Sequence, residues 1–126
     1  MKVRDVASSA VVAVGPTQTM RDAAKLMAEH RVGSAVVQDA EQLVGILTER
    51  DVLASVAAAD DPETVSVEQI MTADVVTVGP DWDLVEAARV MASRRIRHLV
   101  VYEGGQLLGV LSVRDVLPAL LPDQGA

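Results

Sequence analysis

The amino-acid sequence predicts an α/β (α+β) fold made of two similar halves, and three observations support this prediction. An ungapped offset of 64 residues aligns positions 3–57 with 67–121, and 21 of the 55 aligned pairs are identical. Short apolar segments of strand type alternate with amphipathic helical segments in both halves. Half of the 126 residues are hydrophobic, which is enough to build a buried core. The sequence therefore predicts two β-α-β-β-α units that form a pseudo-two-fold pair.

Each copy is predicted to begin with a short helical lead-in and a strand that ends at a Gly-Pro pair. The lead-ins cover residues 3–6 and 67–70, and the strands cover residues 11–14 and 75–78. Glycine and proline interrupt regular structure, so the strands stop there. A one-sided helix follows, because apolar residues recur at the i, i+3, i+4, i+7 spacing. These residues are Met20, Ala23, Ala24 and Met27 in the first copy, and Leu84, Ala87, Ala88 and Met91 in the second.

The remainder of each copy is predicted to be a β-hairpin and a closing helix. Polar loops of four residues join the hairpin strands, and the closing helices begin near Glu49 and Val113. Two pairs, Thr19 with Asp22 and Asp83 with Glu86, have the spacing of capping boxes at the starts of the one-sided helices. The predicted hairpin strands are residues 35–38 with 43–48, and residues 99–102 with 107–112.

The repeat defines the expected domain organisation. Repeat 1 covers residues 1–58, a linker rich in acidic residues covers 59–66, repeat 2 covers 67–121, and a tail covers 122–126. A unit of about 55 residues is marginally stable alone because it leaves too much of its sheet exposed. We therefore expect the two copies to cover each other.

Composition excludes several classes of function. Lysine and arginine number 11 against 18 acidic residues, for a net charge of −7, which opposes binding to nucleic acid and to anionic membranes. No apolar run approaches the ~18 residues of a membrane span, and the start of the chain lacks a signal-peptide pattern. The absence of cysteine fits a reducing compartment, so we expect a cytoplasmic protein. With only two histidines, no metal site is expected.

The residues that could carry chemistry lie where a buried strand runs into the closing helix. Thr48 and Asp51 are three positions apart in the first copy, and Ser112 and Asp115 are three apart in the second. The hydroxyl can cap a helix start that favours an anion such as phosphate, and the carboxylate can accept hydrogen bonds from a vicinal diol. The alternative is that each pair is simply a capping box. No arrangement of nucleophile, base and oxyanion stabiliser is visible, so no enzymatic activity is expected.

These duplicated segments, Gly45 to Asp51 and Gly109 to Asp115, resemble tandem cystathionine-β-synthase (CBS) domains, the Bateman module, of the stand-alone prokaryotic type. The resemblance extends over about residues 2–121. It implies that an adenosine-containing ligand binds in clefts between the two repeats. AMP, ADP and ATP are the expected ligands, and S-adenosylmethionine is a further candidate.

The resemblance also implies a role for individual residues. Asp115 and Asp51 would hold the ribose hydroxyls, and Ser112 and Thr48 would contact ribose or phosphate. Arg97 and His98 would contact phosphate, and arginine suits that role because its guanidinium binds phosphate in a bidentate manner. The residues expected around the adenine are Val75 with Ile96 and Val110, and Val11 with Val32 and Ile46.

The two sites are not expected to be equal. At the positions of Arg97 and His98, the first copy carries Gly33 and Ser34, which have no charge. We therefore expect the site at Asp115 to bind a phosphorylated ligand well. The site at Asp51 is expected to bind it weakly, to prefer a less charged ligand, or to be empty.

The predicted function is that of a non-catalytic regulatory sensor of adenine nucleotides. We expect a homodimer that regulates an unidentified partner protein, with no membrane association. Apolar residues left on the closing helices are expected at the dimer contact: Val52, Val56, Leu117, Leu120 and Leu121. The alternatives are a structural dimerisation module, or a module that interacts with nucleic acid, with vestigial pockets. Only the basic stretch of residues 94–97 speaks for nucleic acid.

Overall fold

A computed structural model describes residues 1–121 and has two three-stranded sheets with five α-helices in that part of the chain. A 3-10 helix, Val3–Asp5, comes first. The following elements, in chain order, are β1 (Ala13–Val14), α1 (Met20–His30), β2 (Ser34–Asp39), β3 (Gln42–Thr48), α2 (Glu49–Ala57), α3 (Val67–Ile70), β4 (Thr77–Val78), α4 (Leu84–Arg94), β5 (His98–Glu103), β6 (Gln106–Ser112) and α5 (Val113–Leu120). The predicted tail, residues 122–126, lies outside the described residues. Within residues 1–121, no helix has both the length and the apolar character needed to cross a membrane.

The described chain forms two compact units, and their boundaries do not coincide with those of the sequence repeats. The first-repeat unit is Val11–Val75, and the second-repeat unit is Met1–Ala10 with the described residues from Val76 onward. In each unit the short first strand pairs in parallel with the middle strand, and the middle strand pairs antiparallel with the third. The strand orders are β1-β2-β3 and β4-β5-β6. Mixed α+β architecture in two similar halves, as the sequence predicts, is therefore confirmed.

Each lead-in helix packs in the unit of the other repeat. Val3 is fully buried in the core of the second-repeat unit, and its N–H donates to the carbonyl of Trp82 at 2.9 Å. Val67 is fully buried in the core of the first-repeat unit, and its N–H donates to the carbonyl of Gln18 at 2.8 Å. Neither repeat of the sequence therefore completes its own core, because the apolar residue that begins it belongs to the other unit.

The segment after each lead-in crosses the outer edge of the third strand. Ser8 and Val110 exchange two backbone hydrogen bonds of 3.0 Å, and Ile46 and Thr72 exchange two of 2.9 Å. Gly109 comes just before Val110, and Gly45 comes just before Ile46. A side chain at either glycine would collide with the crossing segment. A methyl group at Gly109 would lie 2.5 Å from the Ser8 carbonyl oxygen.

An exposed ion-pair cluster holds the N-terminal lead-in on the second-repeat unit. Arg4 lies 2.6 Å and Lys2 lies 3.4 Å from the Asp81 carboxylate. The hydrogen bond and positive charge of Arg4, aided by Lys2, hold the pKa of Asp81 below its ordinary value. Exposed pairs of this kind contribute little to stability, so the buried Val3 is the stronger anchor.

Two local predictions differ from the structure. The first strands are shorter than predicted, since only Ala13–Val14 and Thr77–Val78 have strand geometry. The α1 capping box of Thr19 with Asp22 is present, but Asp83 makes no side-chain cap at the start of α4. There the N–H of Leu84 is satisfied by the Met1 carbonyl at 2.9 Å, because the lead-in runs along the helix start.

We predict that Gly109→Ala lowers the free energy of unfolding by about 1–3 kcal/mol, the usual range for overpacking. The methyl group meets a backbone carbonyl that can move only if the Ser8 bridge breaks. Gly45→Ala costs less, because its nearest neighbour is the flexible Met71 side chain at 2.5 Å. Urea unfolding followed by circular dichroism measures both.

Gly15→Ala is the matched control for these substitutions. Its methyl group would meet only the Gln18 amide oxygen at 3.9 Å, an ordinary contact, so its stability should stay close to that of the wild type. A Gly109→Ala variant as stable as Gly15→Ala would contradict the importance of the crossing.

Candidate functional site

In the second-repeat unit, the end of β6 and the start of α5 bring four of the predicted residues together. His98 and Ser112 are paired across β5 and β6, and the Val113 N–H donates to the Arg97 carbonyl at 2.9 Å. The Ser112 hydroxyl donates to the Asp115 carboxylate at 3.0 Å. The basic residues at the start of β5 therefore lie beside the helix start that carries Asp115.

The apolar residues predicted for this unit lie around the same strand end. Ile96 is half-buried and packs against the core of the second-repeat unit. Val110 is half-buried on β6, two residues before Ser112, where it pairs with Ser8. Val75, predicted to join them, falls at the end of the first-repeat unit, so the structure does not bring it together with Ile96 and Val110 in one unit.

The first-repeat unit repeats this backbone arrangement with different side chains. Ser34 and Thr48 are paired across β2 and β3, and the Glu49 N–H donates to the Gly33 carbonyl at 3.0 Å. Thr48 and Asp51 form a capping box, in which the Thr48 N–H donates to the carboxylate at 2.9 Å and the Thr48 hydroxyl accepts from the Asp51 N–H at 3.3 Å. Ser34 is buried, with 7% of its surface exposed.

Three predicted apolar residues share this unit with Asp51. Val32 is half-buried against the core, and Ile46 is buried on β3, two residues before Thr48. Val11 is half-buried and precedes β1. The unit therefore contains each residue predicted for the site at Asp51.

Thr72 belongs to this group and was missed by sequence reasoning. Its hydroxyl donates to the two oxygens of Asp51 at 3.3 and 3.4 Å. Thr72 follows the lead-in of repeat 2, and only the exchange of lead-ins places it in the first-repeat unit. The equivalent Ser8 behaves differently, because its hydroxyl accepts from the Ala10 N–H at 3.2 Å.

The arrangement provides hydrogen-bond acceptors and positive charge. Both carboxylates accept hydrogen bonds from hydroxyl groups, as a ribose diol would require. Arg94, Arg95 and Arg97 are exposed near the start of β5, so the second-repeat unit presents positive charge at that end. Within residues 1–121, no group of three histidine, aspartate or glutamate side chains could hold a metal ion.

The different roles of the two hydroxyls lead to a stability prediction. Thr48 caps α2, whereas Ser112 makes no such bond to the α5 backbone. Thr48→Ala should lower the free energy of unfolding by about 1 kcal/mol, a typical loss for an N-cap, and Ser112→Ala should lower it by less. Chemical denaturation measures the difference, and equal losses would contradict these roles.

Comparison with known proteins adds independent information. The family model of the CBS domain matches the chain twice, over residues 3–58 and 67–122. A solved CBS-domain protein from Burkholderia ambifaria is similar over 100% of this chain and 98% of its own, with 33% identity and a TM-score of 0.94.

Two further solved structures with CBS domains are a ligand complex and an oligomer. A CBS domain protein from Pyrobaculum aerophilum, complexed with AMP, is 32% identical over 91% of this chain and 89% of its own, with a TM-score of 0.83. A hexameric CBS-CP12 protein from bloom-forming cyanobacteria is 35% identical over 93% of this chain and 69% of its own, with a TM-score of 0.86. With two family matches spanning nearly all of its length, this chain belongs to the CBS-domain family as a tandem pair.

Proposed function

We propose that this CBS-domain regulatory module binds an adenine nucleotide, with Asp115 and Asp51 as the ribose-binding carboxylates. The observation that carries the proposal is the duplicated turn from a buried strand into a helix, where each carboxylate accepts a hydrogen bond from a hydroxyl group. The hydroxyl groups of a ribose are donors of the same kind. AMP, ADP and ATP are the preferred ligands, and S-adenosylmethionine is a further candidate.

The phosphate of the nucleotide would be held at the start of α5. The start of a helix favours an anion. The Val113 N–H already donates to the Arg97 carbonyl, so the phosphate would lie at the N–H groups that follow Val113, beside Arg97 and His98 at the beginning of β5. Arginine recognises phosphate in a bidentate manner. The AMP bound to the Pyrobaculum aerophilum protein supports this class of ligand, because that protein resembles nearly the whole of this chain.

The proposed mechanism is regulatory and non-catalytic. A ligand that binds one arrangement of the module more tightly than another shifts the population toward it. A regulated partner protein would respond to that shift. We also propose a cytoplasmic location, which a chain without cysteine fits.

Self-association is the second part of the proposal. Leu53 and Val56 on α2 are 70% and 54% exposed, and Leu117 on α5 is 50% exposed. Val52, expected at the same contact, packs instead against the core of its own unit. We propose a homodimer that covers these helix faces, and the hexameric CBS-CP12 protein supports assembly in this family.

Nucleotide binding is tested by isothermal titration of AMP and ATP into the wild type and into Asp115→Asn and Asp51→Asn. We expect Asp115→Asn to weaken binding of both nucleotides at least tenfold, since each lost hydrogen bond to a charged group contributes about 1.5–3 kcal/mol. Asp51→Asn should have a smaller effect, because the phosphate contacts are missing in its unit.

Asp22→Asn is the matched control. Asp22 has the same capping role for α1 that Asp51 has for α2, but it is not a proposed ligand residue. If all three substitutions changed nucleotide affinity equally, the carboxylates would be capping groups alone, and the proposal would fail.

Self-association is tested by sedimentation velocity of Leu117→Glu and Leu53→Glu. We expect both to shift the protein toward monomer, because a buried charge at an interface is unfavourable. Leu108→Glu is the control, since Leu108 is 38% exposed on β6 rather than on these helices. An unchanged mass for all three variants, or a monomeric wild type, would contradict the dimer.

A further inference from the structure

We infer that the two repeats select ligands of different charge: the site at Asp115 takes a phosphorylated adenosine, and the site at Asp51 takes an adenosine without negative charge, with Glu49 as the specificity-determining residue. This inference rests on the proposed function. It goes further by assigning a ligand class to each site and by naming the side chain that separates them.

The two units offer a controlled comparison, because their backbones repeat the same contacts. In each unit the first N–H of the closing helix donates to a carbonyl just before the middle strand: Val113 to Arg97 at 2.9 Å, and Glu49 to Gly33 at 3.0 Å. The middle and third strands also keep the same register at their helix-proximal ends. Differences in ligand preference must therefore come from side chains.

Those side chains differ by three units of net charge: two additional arginines in the second-repeat unit and one additional carboxylate in the first-repeat unit. Residues 94–98 contain three arginines and a histidine, whereas residues 30–34 contain one arginine and a histidine. At the first position of the closing helix, Val113 is replaced by Glu49. The second-repeat unit thus gains two arginines and lacks one carboxylate at the end where phosphate would lie.

The difference between Glu49 and Val113 affects phosphate binding most directly. Glu49 is the first residue of α2 and is exposed, so it adds a negative charge to the first turn of that helix. A phosphate at this helix start would meet a like charge and would find no arginine at position 33. A ligand with no phosphate avoids this repulsion and can still use Asp51.

The contacts of Asp51 show that the site can accept an uncharged hydroxyl group. Its carboxylate receives the Thr72 hydroxyl at 3.3 and 3.4 Å. This donor is neutral and exposed, so a ribose hydroxyl can replace it without leaving a buried group unpaired. Asp51 can therefore hold a ribose, and the selection against a phosphate comes from the charges around it.

The test uses adenosine and ATP as probes in two single-site backgrounds. Asp115→Asn leaves the site at Asp51, and Asp51→Asn leaves the site at Asp115; the double variant should bind neither probe. By isothermal titration we expect ATP to bind at least tenfold more tightly than adenosine at the Asp115 site. At the Asp51 site, adenosine should bind at least as tightly as ATP.

The role of Glu49 is tested in the Asp115→Asn background. Glu49→Gln should raise ATP affinity by about three- to tenfold, the range for one exposed like charge nearby, with a much smaller change for adenosine. The gain should shrink as salt is added, since exposed charges are screened. The reciprocal Val113→Glu in the Asp51→Asn background should lower ATP affinity by a similar factor.

The outcomes separate this inference from the proposed function. A wild type that binds neither probe, nor AMP, would contradict the proposed function itself. Three results would overturn the inference alone. The first is the same preference for ATP at both sites, and the second is no adenosine binding at the Asp51 site. The third is an ATP affinity that neither Glu49→Gln nor Val113→Glu changes. Circular dichroism of each variant confirms that it is folded.

Discussion

The close approach of the backbone at Gly109 and Gly45 determines how the lead-ins, the cores and the candidate site are arranged. At each glycine, the segment after a lead-in helix crosses the edge of a third strand and forms two hydrogen bonds with it. The crossing carries Val3 and Val67 into cores of the opposite repeats. A single repeat would lose a fully buried valine and a strand-edge partner, which explains why a unit of this size occurs as a tandem pair.

The same constraint determines the surroundings of the candidate site. Each glycine lies three residues before the N-cap of the closing helix, so the crossing segment passes close to the carboxylate at the start of that helix. In the first-repeat unit this brings the Thr72 hydroxyl onto Asp51. In the second-repeat unit the Ser8 hydroxyl turns to the Ala10 N–H. One backbone arrangement thus supports two different chemical environments.

Much of the fold and the location of the candidate site could be predicted because the sequence contains two copies of the same series of elements. Agreement between the two copies made the strand-helix turns at Thr48 and Ser112 recognisable. The structure pairs these residues with Ser34 and His98, because each hairpin contains a register shift that the sequence did not reveal. The exchange of lead-ins could not be predicted, because an internal repeat gives the same alignment whether Val3 packs in its own copy or in the other.

The exchange of lead-ins explains why one residue of the candidate site was not predicted. Thr72 was missed because its neighbours in sequence belong to repeat 2, while its contacts belong to the first-repeat unit. The exchange does not explain the absent cap at Asp83, since α1 begins with the equivalent bond from the Met20 N–H to the Val65 carbonyl and is still capped by Thr19. Val52 shows a different limit: helical spacing alone did not show that Val52 faces the core while Leu53 and Val56 face outward.

Amide hydrogen exchange of the wild type, with and without saturating AMP, can show whether a phosphorylated adenosine binds at the start of α5. Exchange reports local opening of hydrogen-bonded backbone, so it locates the ligand without any substitution. We expect strong protection over residues 112–116 and at the paired start of β5, with weaker protection over residues 48–52. Equal protection in both regions, or protection confined to other segments, would contradict this expectation.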